Sequence, residues 1–129
     1  MVKQMVIGTP HGSEEFSNPD RSQVEAILRS LDGYHRPYLC IGDVDNLYYL
    51  DLSGGHNGRY VVIVQQGEEG YYTLVKPAKG SREVEIITGG MARFRPSEEC
   101  QTLKTTLLAA ITYFETGERD PRFIWRKSP

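Results

Sequence analysis

Two segments of the chain repeat apolar residues with the period of an α-helix. In the first segment, residues at i, i+3, i+4 and i+7 form one apolar stripe made of Val24, Ile27, Leu28 and Leu31. We expect Asn18 to cap this helix, with Pro19 at its first position. Gly33 then suits the left-handed position just beyond the end of the helix.

The second helical segment has a longer apolar repeat. Its apolar positions, at i, i+4, i+7, i+8 and i+11, are Leu103, Leu107, Ala110, Ile111 and Phe114. Thr102 is expected to cap its start, and Gly117 to end it. The sequence thus predicts one amphipathic helix near each end of the chain.

Between and around these helices the chain has the character of β-structure. Short runs rich in β-branched and aromatic residues alternate with polar turns, whereas 11–17 is polar and is predicted to be a loop. The predicted strands are Lys3–Gly8, Pro37–Ile41, Leu47–Leu52, Tyr60–Gln66, Tyr71–Val75, Val84–Ile87 and Ala92–Phe94. We expect Pro121–Trp125 to add a final strand or to pack as a terminal apolar segment.

Consecutive strands joined by short turns pair antiparallel, and no helix-length segment interrupts them. The predicted fold is therefore α+β. It is a single domain over residues 1–129, with a curved antiparallel sheet of about six strands. An N-terminal and a C-terminal helix are expected to pack on one face of that sheet, because each has only one main apolar stripe.

Composition and charge narrow the function classes. The 129 residues carry 15 Lys and Arg against 17 Asp and Glu, a net charge of −2, which does not favour direct binding of nucleic acid. Cys40 and Cys100 are too far apart for a paired motif and are expected to be free thiols of a reducing compartment. The sequence shows neither a signal-peptide pattern nor a long apolar run, so we predict a cytoplasmic protein without a membrane span.

Known catalytic and metal-binding patterns are not found in the sequence. His11, His35 and His56 are widely separated, and the spacing after Asp43 does not fit a calcium loop, because its sixth position is Tyr48 rather than glycine. The glycine-rich segment 53–58 leads into a strand rather than a helix, which is typical of a turn and not of a phosphate site. We therefore predict no catalytic residue, no metal, no cofactor and no small-molecule substrate.

Acidic and aromatic residues cluster instead at two predicted turns. An acidic turn beside tyrosines is a suitable docking element for a basic protein partner. The candidate partner-binding residues are Asp43, Asp45, Tyr48, Glu68, Glu69, Tyr71 and Tyr72.

The last third of the chain resembles a family of bacterial immunity proteins that protect cells from polymorphic and contact-dependent toxins. The resemblance rests on a helix ending in Phe114-Glu115-Thr116-Gly117, then Pro121, and a near-terminal Trp125 preceded by Ile124. It implies a non-enzymatic antitoxin that binds a cognate toxin domain, with nucleic-acid deaminases among the family's partners. We expect Phe114, Gly117, Pro121 and Trp125 to define the fold rather than to contact the toxin.

Two other functions remain open at this point. A small regulatory or adaptor module with a different protein partner would have the same sequence features. A small enzyme would need a site built from His56, Asp51 and neighbouring tyrosines, and it predicts a concave pocket with shifted pKa values.

Overall fold

The computed structural model describes residues 4–77 and 82–128, in which the chain forms nine strands and two α-helices. Lys3, the predicted start of the first strand, and part of the predicted turn 77–81 lie outside the described residues. The strands are β1 (Gln4–Thr9), β2 (Gly12–Ser17), β3 (Tyr38–Asp43), β4 (Tyr48–Gly54), β5 (Tyr60–Gln66), β6 (Tyr71–Val75), β7 (Glu83–Thr88), β8 (Met91–Pro96) and β9 (Ile124–Lys127). The helices are α1 (Arg21–Ser30) and α2 (Leu103–Thr116).

Seven strands form one antiparallel sheet in the order β2-β1-β3-β4-β5-β6-β9, and β7 and β8 pair only with each other. The α+β class is confirmed, but the prediction of one sheet of about six strands is wrong. The predicted strands that correspond to β7 and β8 are not part of the main sheet, and β9 occupies the edge position beside β6. Neither helix is terminal, because a β-hairpin precedes α1 and β9 follows α2.

Alternation along the central strands places one face of the sheet in the core. Met5, Ile7, Leu39, Ile41 and Leu50 are fully buried there. Both helices contribute to the same core cluster, α1 through Val24 and Leu28 and α2 through Ala110, Tyr113 and Phe114. Burying such a stripe stabilises the fold by roughly 2 kcal/mol for each large side chain. Because the buried residues of each helix lie on one side of it, contact with one face of the sheet is enough to bury them.

The start of α1 differs from the sequence prediction. Asp20, not Asn18, is the cap: its carboxylate accepts a 2.8 Å bond from the backbone N–H of Gln23. The Gln23 side chain accepts in return from the Asp20 N–H at 2.9 Å. This reciprocal pair satisfies two N–H groups at the start of the helix, whereas Asn18 could satisfy only one.

The end of α1 also differs, because Leu31 closes the helix in an extended conformation. Gly33 has a positive φ of 81° but serves a different purpose from the predicted one. A Cβ at Gly33 would lie 2.7 Å from the carbonyl oxygen of Ile87. The Gly90 N–H also donates to the Gly33 carbonyl at 2.7 Å. Gly33 therefore lets the β7–β8 hairpin approach the connection between α1 and β3 closely.

Residues 11–17 are not the predicted loop, since Gly12–Ser17 is the edge strand β2. Most of β2 is exposed, so it lacks the apolar alternation by which a strand is recognised.

Both ends of α2 agree with the sequence prediction, because Thr102 caps its start and Gly117 ends it at φ 74°.

Candidate functional site

Two neighbouring turns meet at one end of the main sheet. They are the β3–β4 turn and the β5–β6 turn, and the Gly67 N–H donates a 2.7 Å bond to the carbonyl oxygen of Leu47. The predicted acidic and aromatic residues of both turns are thus brought together. We call this region the tip surface; its exposed members are Asp43, Asp45, Leu47, Tyr48, Glu68, Glu69 and Tyr71.

The apolar part of the tip surface is well exposed. Tyr48 is 53% exposed, Leu47 48% and Tyr71 42%. Gly67, at φ +55°, packs closely against Tyr48: a Cβ at Gly67 would lie 2.6 Å from the tyrosine hydroxyl oxygen. Aromatic groups held in this way on a rigid turn are suited to filling pockets on a partner.

The acidic part of the tip surface includes one residue that also shapes its own turn. Asp43 accepts from the Asn46 side-chain amide at 2.7 Å and from the Asn46 N–H at 3.4 Å. Leu47 completes the turn with a positive φ of 62°. Burial, with a smaller contribution from the Asp43 carboxylate, raises the pKa of Tyr113 to about 12. The Asp43 carboxylate is thus close enough to Tyr113 of α2 to affect its pKa.

Tyr72 is placed differently from the other candidate residues. It is only 9% exposed, and its hydroxyl donates a hydrogen bond to the Glu69 carboxylate. That bond is the main reason why the pKa of Tyr72 is raised. The Arg119 guanidinium lies 3.6 Å from the centre of the Tyr72 ring. Tyr72 therefore positions Glu69 and supports the tip surface from beneath.

A cavity of about 380 Å³ lies beside the tip surface, in the connection between α2 and β9. It is lined by Gln66, Gly117, Glu118, Arg119, Asp120, Pro121 and Trp125. Arg119 was not among the predicted residues, because a single basic residue in a polar loop carries no distinctive signal. Its guanidinium lies over the Tyr72 ring, whose hydroxyl bonds to Glu69 of the tip surface.

The sheet face opposite the helices carries a second polar group. Asp51 lies beside Cys40 on the neighbouring strand, and the thiol donates to the Asp51 carboxylate at 3.5 Å. Burial raises the pKa of Asp51 as well as that of Cys40. The pKa values of Tyr38 and Tyr49 are raised too, first by burial and then by Cys40 and Asp51.

The enzyme alternative required His56 beside this group. The imidazole of His56 instead packs edge-on against Tyr34, with the ring centres 5.4 Å apart. Cys40 and Cys100 are free thiols, as predicted. Within residues 4–77 and 82–128, no three His, Cys, Asp or Glu side chains are arranged to hold a metal ion. Neither α1 nor α2 has the length and apolar character of a membrane-spanning helix.

Comparison with known proteins identifies the family of this chain. The chain has no significant match among the curated proteins. The sequence pattern of the family described as "Immunity protein Imm1" matches residues 13–127, which include every residue of the tip surface and both helices. The chain therefore belongs to the Imm1 family of immunity proteins.

Proposed function

We propose that this protein neutralises its cognate toxin without catalysis, by binding the toxin domain through the tip surface and covering its active site or substrate path. Family membership implies a cognate toxin. The tip surface is the proposed toxin-binding surface because two turns meet there and expose four carboxylates beside Leu47, Tyr48 and Tyr71.

The charge of this surface suggests the kind of toxin. Enzymes that act on nucleic acid have basic clefts, and a projecting acidic surface can occupy such a cleft and exclude the substrate. We therefore propose a nucleic-acid-targeting toxin, with deaminases among the candidates, acting inside the cell that the protein protects. Opposite charges would also accelerate association, which favours rapid neutralisation of an incoming toxin.

The aromatic side chains would supply the affinity that charge alone does not. Rim charges mainly change the association rate, whereas buried aromatic anchors contribute most of the binding free energy. Tyr48 and Tyr71 are the proposed anchors, because both are exposed and lie at the same end of β4 and β6, the two strands that flank β5.

The test is a charge reversal with a matched control. In Glu68→Lys/Glu69→Lys, the dissociation constant for the toxin encoded by the neighbouring upstream gene should rise by more than about tenfold. This corresponds to a loss of more than about 1.4 kcal/mol of binding free energy. The control Glu14→Lys/Glu15→Lys makes the same charge change on the exposed strand β2, far along the sheet. Equal affinities in the two double variants would exclude the β5–β6 turn from the interface.

A further inference from the structure

A groove of about 550 Å³ runs between α1 and α2 on the outer side of the helix layer. Its lining is Arg21, Glu25, Arg29, Leu103, Lys104, Leu107, Leu108, Ile111, Thr112, Glu115 and Arg122. Its volume is in the range of protein sites that hold ligands or peptide side chains. None of the residues of the tip surface lines this groove.

The floor of the groove is apolar and is built by α2. Leu103, Leu107 and Ile111 recur every four residues and are half-buried, while Leu108 is 39% exposed. Ala110 and Phe114 are buried in the core, and Leu103, Leu107 and Ile111 pack against that core but stay partly exposed. Together with Leu108 they leave an apolar strip of α2 partly open in the groove.

The rim of the groove is basic, in contrast to the net charge of −2 for the whole chain. Four cations line the groove, against the two carboxylates of Glu25 and Glu115. Both of these carboxylates are bound by Arg21, at 3.2 and 3.3 Å. The groove lining therefore has a net charge of +2.

The remaining cations of the rim differ in how they are neutralised. Arg122 is paired with Asp120 at 2.5 Å. Among the described residues, no carboxylate oxygen lies within 4.0 Å of Arg29 or Lys104. Arg29 comes from α1 and Lys104 from α2, so both helices offer a cation to whatever occupies the groove.

We propose that this groove binds an acidic amphipathic segment of a protein partner. Apolar side chains of the segment would lie on Leu107, Leu108 and Ile111, and its carboxylates would pair with Arg29 and Lys104. An amphipathic helix laid in a groove is a common mode of peptide recognition, in which apolar anchors recur every three or four residues. The charge of the rim selects an acidic segment over a basic one.

The site is independent of the proposed toxin contact at the tip surface. It gives the protein a second binding surface of opposite charge, on the helices rather than at the end of the sheet. Reversing the charge of Glu68 and Glu69 should therefore leave binding in the groove unchanged.

The direct test uses a fluorescein-labelled probe peptide of roughly twelve residues, about three helical turns, with leucines on one face and glutamates elsewhere. Fluorescence anisotropy should show saturable binding to the intact protein that weakens with added salt, because exposed ion pairs are screened. A peptide with lysines in place of the glutamates should not bind.

Variants locate the site. Arg29→Glu/Lys104→Glu should weaken binding of the acidic probe by at least about tenfold. The control Arg93→Glu/Lys127→Glu makes the same charge change at exposed positions outside the groove and should not. Leu108→Asp should also abolish binding, and its partial exposure means that the fold tolerates the change; thermal unfolding verifies this.

Several results would overturn the proposal. These are no binding of the acidic probe at millimolar protein, or equal loss in the groove and control variants. Binding of laurate in the groove without binding of the probe would show a site for small anionic amphiphiles. Concentration-dependent dimers that Leu108→Asp dissociates would show that a second copy of the chain occupies the groove.

Discussion

The indole Nε1 of Trp125 donates a 3.0 Å hydrogen bond to the backbone carbonyl oxygen of Asp120. Asp120 is itself fixed, because its carboxylate accepts from the Thr112 hydroxyl of α2 at 2.9 Å and from Arg122 Nε at 3.0 Å. The single tryptophan thus connects edge strand β9 to the end of α2. This gives Trp125 a structural role, as expected from the sequence, beside the cavity that adjoins the tip surface.

Asp120 should make stability depend on pH in the acidic range. The pKa of Asp120 is lowered from the ordinary value of 3.8 to about 2, mainly by the hydrogen bonds from the Arg122 side chain. A carboxyl whose pKa is lower in the folded state stabilises the fold above its unfolded pKa, and that contribution is lost as pH falls through the folded value. Asp120→Asn should therefore cost about 1 to 2 kcal/mol at neutral pH, allowing for the exposed guanidinium.

Urea unfolding at several pH values measures this effect. The difference between wild type and Asp120→Asn should shrink as pH falls from about 4 towards 2. The exposed neighbour Glu118→Gln is the matched control and should change the free energy of unfolding by less than about 0.5 kcal/mol. A difference for Asp120→Asn that stays constant over this pH range would contradict the assignment.

Asp51 should behave in the opposite way. Burial raises its pKa, so the charged carboxylate destabilises the folded state at neutral pH. Asp51→Asn keeps an oxygen that can accept from the Cys40 thiol and removes the charge. We expect it to raise the free energy of unfolding at pH 7, because the cost of burying the charge is removed.

The sign of this effect can be verified by acidification. When pH falls through the folded pKa of Asp51, the wild-type carboxyl becomes neutral, and the advantage of Asp51→Asn should disappear. Asp45→Asn makes the same substitution at an exposed position and should change the free energy of unfolding by less than about 0.5 kcal/mol. A destabilised Asp51→Asn at pH 7 would mean that the carboxylate makes a net favourable interaction in the fold.

Gly67→Ala should separate the shape of the tip surface from the stability of the fold. The positive φ imposes a strain of about 1 kcal/mol on alanine. Its Cβ would also displace the Tyr48 hydroxyl. Gly89→Ala is the matched control, because its φ of 59° is similar and a Cβ there meets no atom within 4 Å.

Both glycine variants should lower the melting temperature by similar amounts, since both carry the same backbone strain. Only Gly67→Ala should weaken toxin binding, which isothermal titration calorimetry would measure. Equal affinities of the two variants would show that the position of Tyr48 does not matter to the interface.

The sequence predicts the fold well where burial imposes a period. Strands β3 and β4 alternate because one face is more deeply buried than the other, and α2 has strong cap residues at Thr102 and Gly117. By contrast, β2 is missed because an exposed edge strand has no apolar period to show. The separation of β7 and β8 from the main sheet is also missed, because a hairpin has the same local pattern whichever sheet it joins.

The candidate site was predictable in part for a topological reason. In a series of antiparallel strands, alternate turns lie at the same end, so the β3–β4 and β5–β6 turns must be neighbours. The burial of Tyr72 follows from the same alternation, since it shares a face with Leu74. The position of Arg119 over Tyr72 was not predictable, because it depends on how the α2–β9 connection packs against the sheet.

The most direct test of the proposed function is co-expression with the toxin domain encoded by the neighbouring upstream gene, with growth rescue and affinity measured together. The account predicts rescue and a nanomolar dissociation constant for the wild type, with affinity weakened by more than about tenfold and rescue reduced in Glu68→Lys/Glu69→Lys, and both retained in Glu14→Lys/Glu15→Lys. Rescue and tight binding by all three proteins would place the interface away from the β5–β6 turn. Neither binding nor rescue by the wild type would contradict neutralisation of that toxin altogether.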